Sequence, residues 1–382
     1  MQVDGFTLPE FAPVEAVFKE NFAARDEIGA AVCVHVGGRP VVDLWGGLAE
    51  PANGPAAERP WERDTVQVVW SVSKGLVATC LAMLIDRGAL DPSERVCRHW
   101  PEFAAAGKRD VTVRQLLSHQ AGLPYLDEPI SLARVAVADE LADALAAGRP
   151  IWKPGTAHGY HAVTWGFYAN ELIRRVDGRT VGAFLREEVA GPLGLDVHIG
   201  LPAHVAPRVA HLAPIAPADF SGLDPRSHLA RAMFAIPELA REGADHDPDV
   251  LALEIPSGLG VTNARALSRL YAVLAAGGTL DGVRLLSPEA LASVTAGVVA
   301  GHDRVLGEHT AFGLGFMKPQ TAFFGVSPSA PAFGHPGSGG PLAFADPAAG
   351  LAFAYVANGQ SPLHTDRRAM ALIDAVRDCL PR

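Results

Sequence analysis

Stretches that read as β-strand lie near both ends of this chain, and most of what separates them reads as helix. A sheet here has to be assembled from segments far apart in sequence. Residues 30–36 and 40–45 are two short β-rich runs on either side of Gly37-Gly38, the pattern of a hairpin. Further short strands are expected at 312–317, 322–325, 342–346 and 351–357. Helical spacing marks 11–22, through Val14, Val17, Phe18 and Phe22, and then 113–117, 132–147 and 165–176, the last stopped by Asp177-Gly178. It returns from Thr262 or Asn263 to 276, before Gly277-Gly278. Ser287-Pro288-Glu289 opens another helix, and a final one covers 367–379. The expected fold class is α/β of the α+β kind: an antiparallel β-sheet flanked by helices, with an inserted, mostly helical subdomain. The sheet domain would take residues 1–66 and 255–382, and the insertion 67–254. Residues 203–256 are rich in Pro, His and Asp with little periodicity, so a loop-rich cap is expected over about 200–254; a loop this long is usually functional or a lid. No internal repeat is visible.

Length and composition narrow the function classes. The 382 residues suffice for a large core, and 49% hydrophobic against 19% charged residues is a globular balance. A net charge of −10 without a long basic run argues against nucleic acid or an anionic membrane as a partner. Residues 1–6 lack a basic start followed by an apolar run, so no secretory leader is expected. The best apolar stretch, about 10 residues over 76–85, falls short of the roughly 20 that a membrane helix needs. A soluble, cytoplasmic protein is expected, without membrane insertion. Cys33, Cys80, Cys97 and Cys379 are scattered, with no Cys-x-x-Cys, and do not make a disulfide framework. Cys80 reads as a small core residue.

The chemistry begins at Ser71-Val72-Ser73-Lys74, at the head of that apolar stretch. With 5 lysines and 15 serines in the chain, chance gives roughly 0.2 Ser-x-x-Lys matches, so the motif merits a functional reading. On a helix, Ser71 and Lys74 share one face, their Cα atoms about 4.5 Å apart in axial rise. A lysine there can take the serine's proton without any histidine. The competing reading is a helix start, with Ser71 as a cap and Lys74 in water. The base reading needs a lysine well below its ordinary value of about 10.4, through burial, the helix N-terminus or a neighbouring cation. Ser73 lies about 100° around the helix from Lys74 and is a poor nucleophile candidate.

Two later segments supply partners. In Lys153-Pro154-Gly155-Thr156-Ala157-His158-Gly159-Tyr160-His161-Ala162, a Pro-Gly turn and a Gly-Tyr step would present the Tyr160 hydroxyl just before a helix. A phenol near an ammonium loses its proton more easily and can relay protons; otherwise Tyr160 is a buried structural residue. In Gly334-His335-Pro336-Gly337-Ser338-Gly339-Gly340, dense glycine lets backbone N–H groups approach a ligand, or simply makes a loop between strands. Ser338 is not in a Gly-x-Ser-x-Gly elbow, because Pro336 stands at the first glycine's place. His158 and His161 lack a carboxylate or cysteine partner and read as surface or supporting residues rather than metal ligands. His119 reads as structural, and His198, His204, His211 and His228 as solvated. Trp152 and Trp165 flank the Tyr160 segment and would either wall an acyl pocket or pack in the core.

Ser71-x-x-Lys74, then Tyr160, then a Gly-rich turn near the C-terminus resembles the serine β-lactamase and penicillin-binding-protein superfamily. The resemblance covers nearly the whole chain and is strongest to class C β-lactamases and family VIII carboxylesterases. Leu116-Leu117-Ser118-His119-Gln120-Ala121-Gly122-Leu123 is similar to the family's LLxHxSGL segment. The resemblance implies a β-lactamase/transpeptidase-like fold, with Ser71 as acylated nucleophile, Lys74 as base and Tyr160 in the same proton network. It places His335-Pro336-Gly337 where the superfamily has Lys-Thr-Gly, and implies an oxyanion hole from the backbone N–H groups of Ser71 and Ser338. His335, Gly337, Trp152 and Trp165 are the candidate substrate contacts. Two departures stand out. Ala162 replaces the asparagine of Tyr-x-Asn, which donates to a substrate amide carbonyl, and His335 replaces a permanent cation that holds a carboxylate. Both favour a neutral ester.

The expectation is a serine carboxylesterase acting on short-chain acyl esters through a Ser71 acyl-enzyme. Its partner is a small-molecule ester, with no metal, no organic cofactor and no nucleic acid. Alternatives of the same mechanism are a β-lactamase, an amidase or D-aminopeptidase, or an acyltransferase. A catalytically silent binding or scaffold member is the alternative from another class. A homo-oligomer is compatible with the sequence, which does not set the oligomeric state.

Overall fold

The structure, a computed structural model, describes residues 2–50, 58–215, 222–319, 331–361 and 366–380. The chain ends do build the sheet. Its six main strands are β1 (Val3–Thr7), β2 (Gly29–Val36), β3 (Arg39–Glu50), β4 (Phe333–Pro336), β5 (Leu342–Asp346) and β6 (Leu351–Ala357), with the short Arg59–Pro60 paired to β3 off this path. They run in the order β1-β3-β2-β6-β5-β4, every neighbouring pair antiparallel. The hairpin turns at Gly37-Gly38, and the two ends of the chain meet where β2 pairs with β6, Val32 opposite Tyr355 and Val34 opposite Phe353.

Strand alternation sorts the sheet's two faces by size. Val32 and Val34 of β2, Phe344 of β5, and Leu351, Phe353 and Tyr355 of β6 pack with α1 (Ala12–Ala24). Ala31, Cys33, Ala343, Ala345, Ala352 and Ala354 face the opposite way. On that face they meet the core built around α2 (Ser73–Asp86), α3 (Thr164–Asp177) and α4 (Ala264–Ala275). Near-continuous alanine lets α4 lie close on β2 and β6, so its own Leu267, Leu270 and Tyr271 fill the layer. The last helix, α5 (Arg368–Asp378), packs beside α1 on the large-residue face.

Every residue of α2 from Ser73 to Leu84 is buried. A helix enclosed on all sides can bring a polar side chain into a dry environment, which an amphipathic surface helix cannot. The apolar core passes without a break from the sheet through α2 into the inserted helices, so residues 67–254 share a core with the sheet. No helix among the described residues is long and apolar enough to cross a membrane.

Several local expectations change. The 132–147 stretch forms two helices, Leu132–Val135 and Ala138–Ala147. Of 312–317, only Phe312 ends a strand, His309–Phe312, while Met317 touches Gly334 by an isolated bridge. The expected 322–325 strand lies outside the described residues. The Gly-rich segment starts as strand: β4 contains Gly334, His335 and Pro336, so the turn begins only at Gly337. Asn263, not Thr262, caps α4, its side chain accepting from Ala266 N–H at 2.9 Å. The described part of 203–256 holds only short pieces, the longest being the helix His228–Met233.

Candidate active site

Ser71 lies in a tight turn, Trp70–Val72, that feeds directly into α2. The turn opens with Trp70 at φ +46°, a left-handed conformation that a bulky side chain adopts at a cost of about 1–3 kcal/mol. Ser73 holds the turn. Its Oγ donates to the Trp70 carbonyl and accepts from Gly260 N–H at 2.9 Å, so this second serine is occupied in structure. Ser71 itself stays half-buried at the head of the helix.

Lys74 is completely buried one turn on. Its Nζ donates to the carbonyls of Ala162 at 2.7 Å and Ser257 at 3.1 Å, and lies 3.3 Å from Ser71 Oγ. A neutral amine has two hydrogens and one lone pair. The two carbonyls take the hydrogens, which leaves the lone pair for the serine hydroxyl. Burial alone pushes the amine well below its ordinary value, so the neutral form is the one this site favours. The cap reading, with Lys74 in water, is excluded by that burial.

Tyr160 Oη donates to Ser71 Oγ at 2.8 Å, and its ring lies under Lys74 Nζ at 4.7 Å. The expectation that a cation would help this phenol ionise is corrected: burial pushes Tyr160 upward, against the smaller opposing pull of its hydrogen bond to Ser71. The hydroxyl keeps its proton. The Tyr160 loop is held by groups that residue type alone does not reveal as a set. Asp303, fully buried, accepts the N–H groups of Tyr160, Val305 and Leu306 at 2.9–3.0 Å and the Thr310 hydroxyl at 3.0 Å. His119, at φ +62°, accepts His161 N–H on Nδ1 at 3.0 Å, and its carbonyl accepts Gly159 N–H at 3.1 Å. His161 accepts Leu123 N–H at 2.9 Å and sits 2.6 Å from the Gly159 carbonyl. His158 pairs with Thr310 at 2.9 Å. Of the two readings of His158 and His161, surface or supporting, the buried supporting role is the one the structure shows; desolvation lowers both, His161 to about 4.

Sequence reasoning does not single out Asp303 or Ser257. Asp303 carries one signal, an Asp-x-Val-Leu-Gly turn in which the carboxylate serves N–H groups two and three residues on. Ser257 carries none for lysine binding, because it contributes a backbone carbonyl.

On the opposite side, β4 brings His335 against Tyr160, ring centroids 5.8 Å apart. Burial lowers His335 to about 3, so it is neutral. Its Nδ1 lies 2.7 Å from the Pro336 carbonyl, which can only accept; the proton is therefore on Nδ1, and Nε2, unpartnered, offers only a lone pair. A Cβ on Gly337 would fall 2.4 Å from the Val69 carbonyl, so only glycine lets this turn back onto the strand that leads to Ser71. The next residue, Ser338, is exposed, whereas Ser71 is half-buried.

The two tryptophans separate. Trp165 is a core residue, 1% exposed, its indole N–H donating to Leu117 O at 3.0 Å; the pocket-wall reading fails because its ring is enclosed. Trp152 packs in the cluster that contains Tyr160 and Ala162, with its ring against Gly159. Of the histidines expected in solvent, His204 and His228 are exposed, although His228 meets the Tyr125 hydroxyl at 2.6 Å. His198 and His211 are instead half-buried beside Asp196 and Glu50. No group of three or more His, Cys, Asp or Glu among the described residues is arranged to hold a metal.

A half-buried serine, a dry lysine and a protonated tyrosine, converging in this order along a sheet-and-helix fold, define a class. The family model described as Beta-lactamase matches residues 14–377. The "Esterase/beta-lactamase LipL" of Mycobacterium tuberculosis is 36% identical over 379 residues, covering 94% of this chain and 83% of its own. Two solved structures superpose over 100% of both chains at a TM-score of 0.90: a family VIII carboxylesterase, 39% identical, and a penicillin-binding-protein homologue from Caulobacter crescentus, 41% identical. The chain belongs to the β-lactamase family of serine hydrolases.

Proposed function

We propose that this protein is a carboxylesterase that cleaves short-chain acyl esters through an acyl group carried on Ser71. The observation that carries the reading is the Lys74 amine, fully desolvated, both hydrogens engaged by carbonyls and its lone pair 3.3 Å from Ser71 Oγ. In the first step Lys74 takes the Ser71 proton as Oγ attacks the ester carbonyl. The negative charge that develops on the carbonyl oxygen is met by the N–H groups of Ser71 and Ser338, worth a few kcal/mol per donor. Collapse expels the alkoxide, which takes the Tyr160 hydroxyl proton as the proton held on Lys74 replaces it, so that both groups return to their starting state; Tyr160 Oη lies 2.8 Å from Ser71 Oγ. Water then attacks the acyl-enzyme with the same groups in reverse, releasing the acid and restoring Ser71.

The preference for a small neutral ester rests on what the site lacks. His335 is a neutral acceptor where a cation would hold a carboxylate. Ala162 has no amide to donate, and its carbonyl is committed to Lys74. The family VIII carboxylesterase relative supports an ester as the substrate class. Weak β-lactam hydrolysis is the second reading, favoured by the mycobacterial relative whose name joins both activities. A fluorophosphonate probe tests the nucleophile: a stable adduct on wild type and none on Ser71→Ala is expected. No adduct, or one that survives the substitution, defeats the hydrolase mechanism. Turnover of p-nitrophenyl acetate, butyrate and laurate against nitrocefin then separates esterase from lactamase.

A further inference from the structure

The turn that carries Ser338 is exposed at its tip, yet an oxyanion donor has to be held within about half an ångström of its working position. One end of the turn is fixed by Gly337 N–H donating to Pro341 O at 2.7 Å and by the close contact with Val69. The other end is fixed by a residue far along the chain. Arg368, the first residue of α5, is 1% exposed, and its Nη2 donates to the Gly339 carbonyl at 3.1 Å and the Gly359 carbonyl at 2.8 Å.

We propose that Arg368 is a positioning residue for catalysis, its buried guanidinium clamping the Gly339 carbonyl so that the neighbouring Ser338 N–H is aimed at the reacting oxygen. The proposal rests on the reading of Ser338 as an oxyanion donor. Arg368 suits the task because all three of its nitrogens are engaged at once. Nε and Nη2 bind the two oxygens of Asp366 at 3.0 and 2.7 Å, and Nη1 binds Glu27 at 2.8 Å. Glu27 is held in turn by the Tyr355 hydroxyl and by Ile28 N–H at 3.1 Å. The clamp is thereby tied to β6 and to the residues that enter β2, the middle of the sheet. A lysine has no rigid fork and cannot hold Asp366, Glu27 and the two carbonyls at once in fixed directions.

The clamp also explains glycine in the turn. A Cβ on Gly340 would lie 2.7 Å from Asp366 Oδ2 and 2.8 Å from Arg368 Nη2. The backbone must come this near for the guanidinium to reach the Gly339 carbonyl. Buried ion clusters are weak sources of stability, and apolar replacements of similar volume are often neutral or better. Holding the turn in register is a role that an apolar replacement cannot fill.

The test uses Arg368→Lys and Arg368→Met, with active sites counted by fluorophosphonate so that rates refer to folded, competent enzyme. Affinity for an alkyl boronic acid, whose tetrahedral adduct mimics the transition state, is measured alongside. Expected are a loss of about 10–100-fold in kcat per titrated site, a matching loss of boronate affinity, and a KM within about threefold of wild type. Folded variants with per-site rates within about threefold of wild type overturn the proposal, as does a loss confined to active fraction or melting temperature. If neither Arg368 variant folds, Asp366→Asn is judged by the same two readouts and the same limits. A wild-type enzyme that forms no boronate adduct overturns the oxyanion reading and this one together, whereas normal boronate binding by the variants overturns only the clamp.

Discussion

Replacing Lys74 with methionine tests the central physical claim, that a lysine is kept neutral inside this fold. The substitution preserves length and removes the amine. In the unfolded chain Lys74 titrates near its ordinary value of about 10.4; in the folded protein desolvation sets it well below that. Between the two values the unfolded state carries one more proton than the folded state. Stability therefore rises with pH, by up to about 1.4 kcal/mol per pH unit from this one residue, and the contribution ends above the unfolded value. Lys74→Met lacks the term. The unpaired Ala162 and Ser257 carbonyls cost the variant about 1–3 kcal/mol each at every pH, so the test is the slope and not the offset. Relative to wild type, the variant should lose ground steadily as pH rises. Urea unfolding of both proteins at several pH values from neutral to about 9.5 reads the slope directly. Parallel curves would mean that Lys74 has the same charge folded and unfolded, and the base assignment would fail. The same variant should lose about 10²–10⁴ in kcat/KM.

Wild-type activity should rise with pH as Lys74 loses its proton and should level off below the ordinary lysine range; a bell centred near pH 5 contradicts a Lys74/Tyr160 pair. Tyr160→Phe should leave the fold intact and cut kcat/KM by about 10²-fold or more, since only the Oη contact to Ser71 is removed, and a near-normal rate would take Tyr160 out of the relay. Asp303→Ala strands three N–H groups and a hydroxyl and should destabilise by about 3–5 kcal/mol in urea titration, with Tyr160→Phe-like kinetics in whatever remains folded. Ala162→Asn should raise nitrocefin turnover relative to p-nitrophenyl acetate by supplying the missing amide. Because Ala162 is only 6% exposed, it should also cost about 1–3 kcal/mol of stability, and an unchanged substrate ratio would count against the role given to Ala162.

Local sequence determined the elements that depend on periodicity and turn chemistry. Strand alternation and the Gly37-Gly38 turn are decided within a few residues. So is the three-residue spacing that puts Ser71 and Lys74 on one side of a helix start, whereas the cap of α4 stayed open between Thr262 and Asn263. The resemblance of the motif order to the β-lactamase family paired Ser71 with Tyr160 before any distance was known. What the sequence could not decide was electrostatic. Whether Lys74 is an ammonium in water or an amine in a dry site depends on α2 being enclosed on all sides, and on carbonyls from residues 162 and 257 arriving at Nζ. Backbone carbonyls have no residue signature, and burial is a property of the assembled core. For the same reason the tertiary structure alone withdrew Trp165 from the pocket, reversed the expected shift of Tyr160, and set Arg368 beneath the glycine turn. Each of these outcomes depends on groups far apart in the chain that meet only in the assembled core.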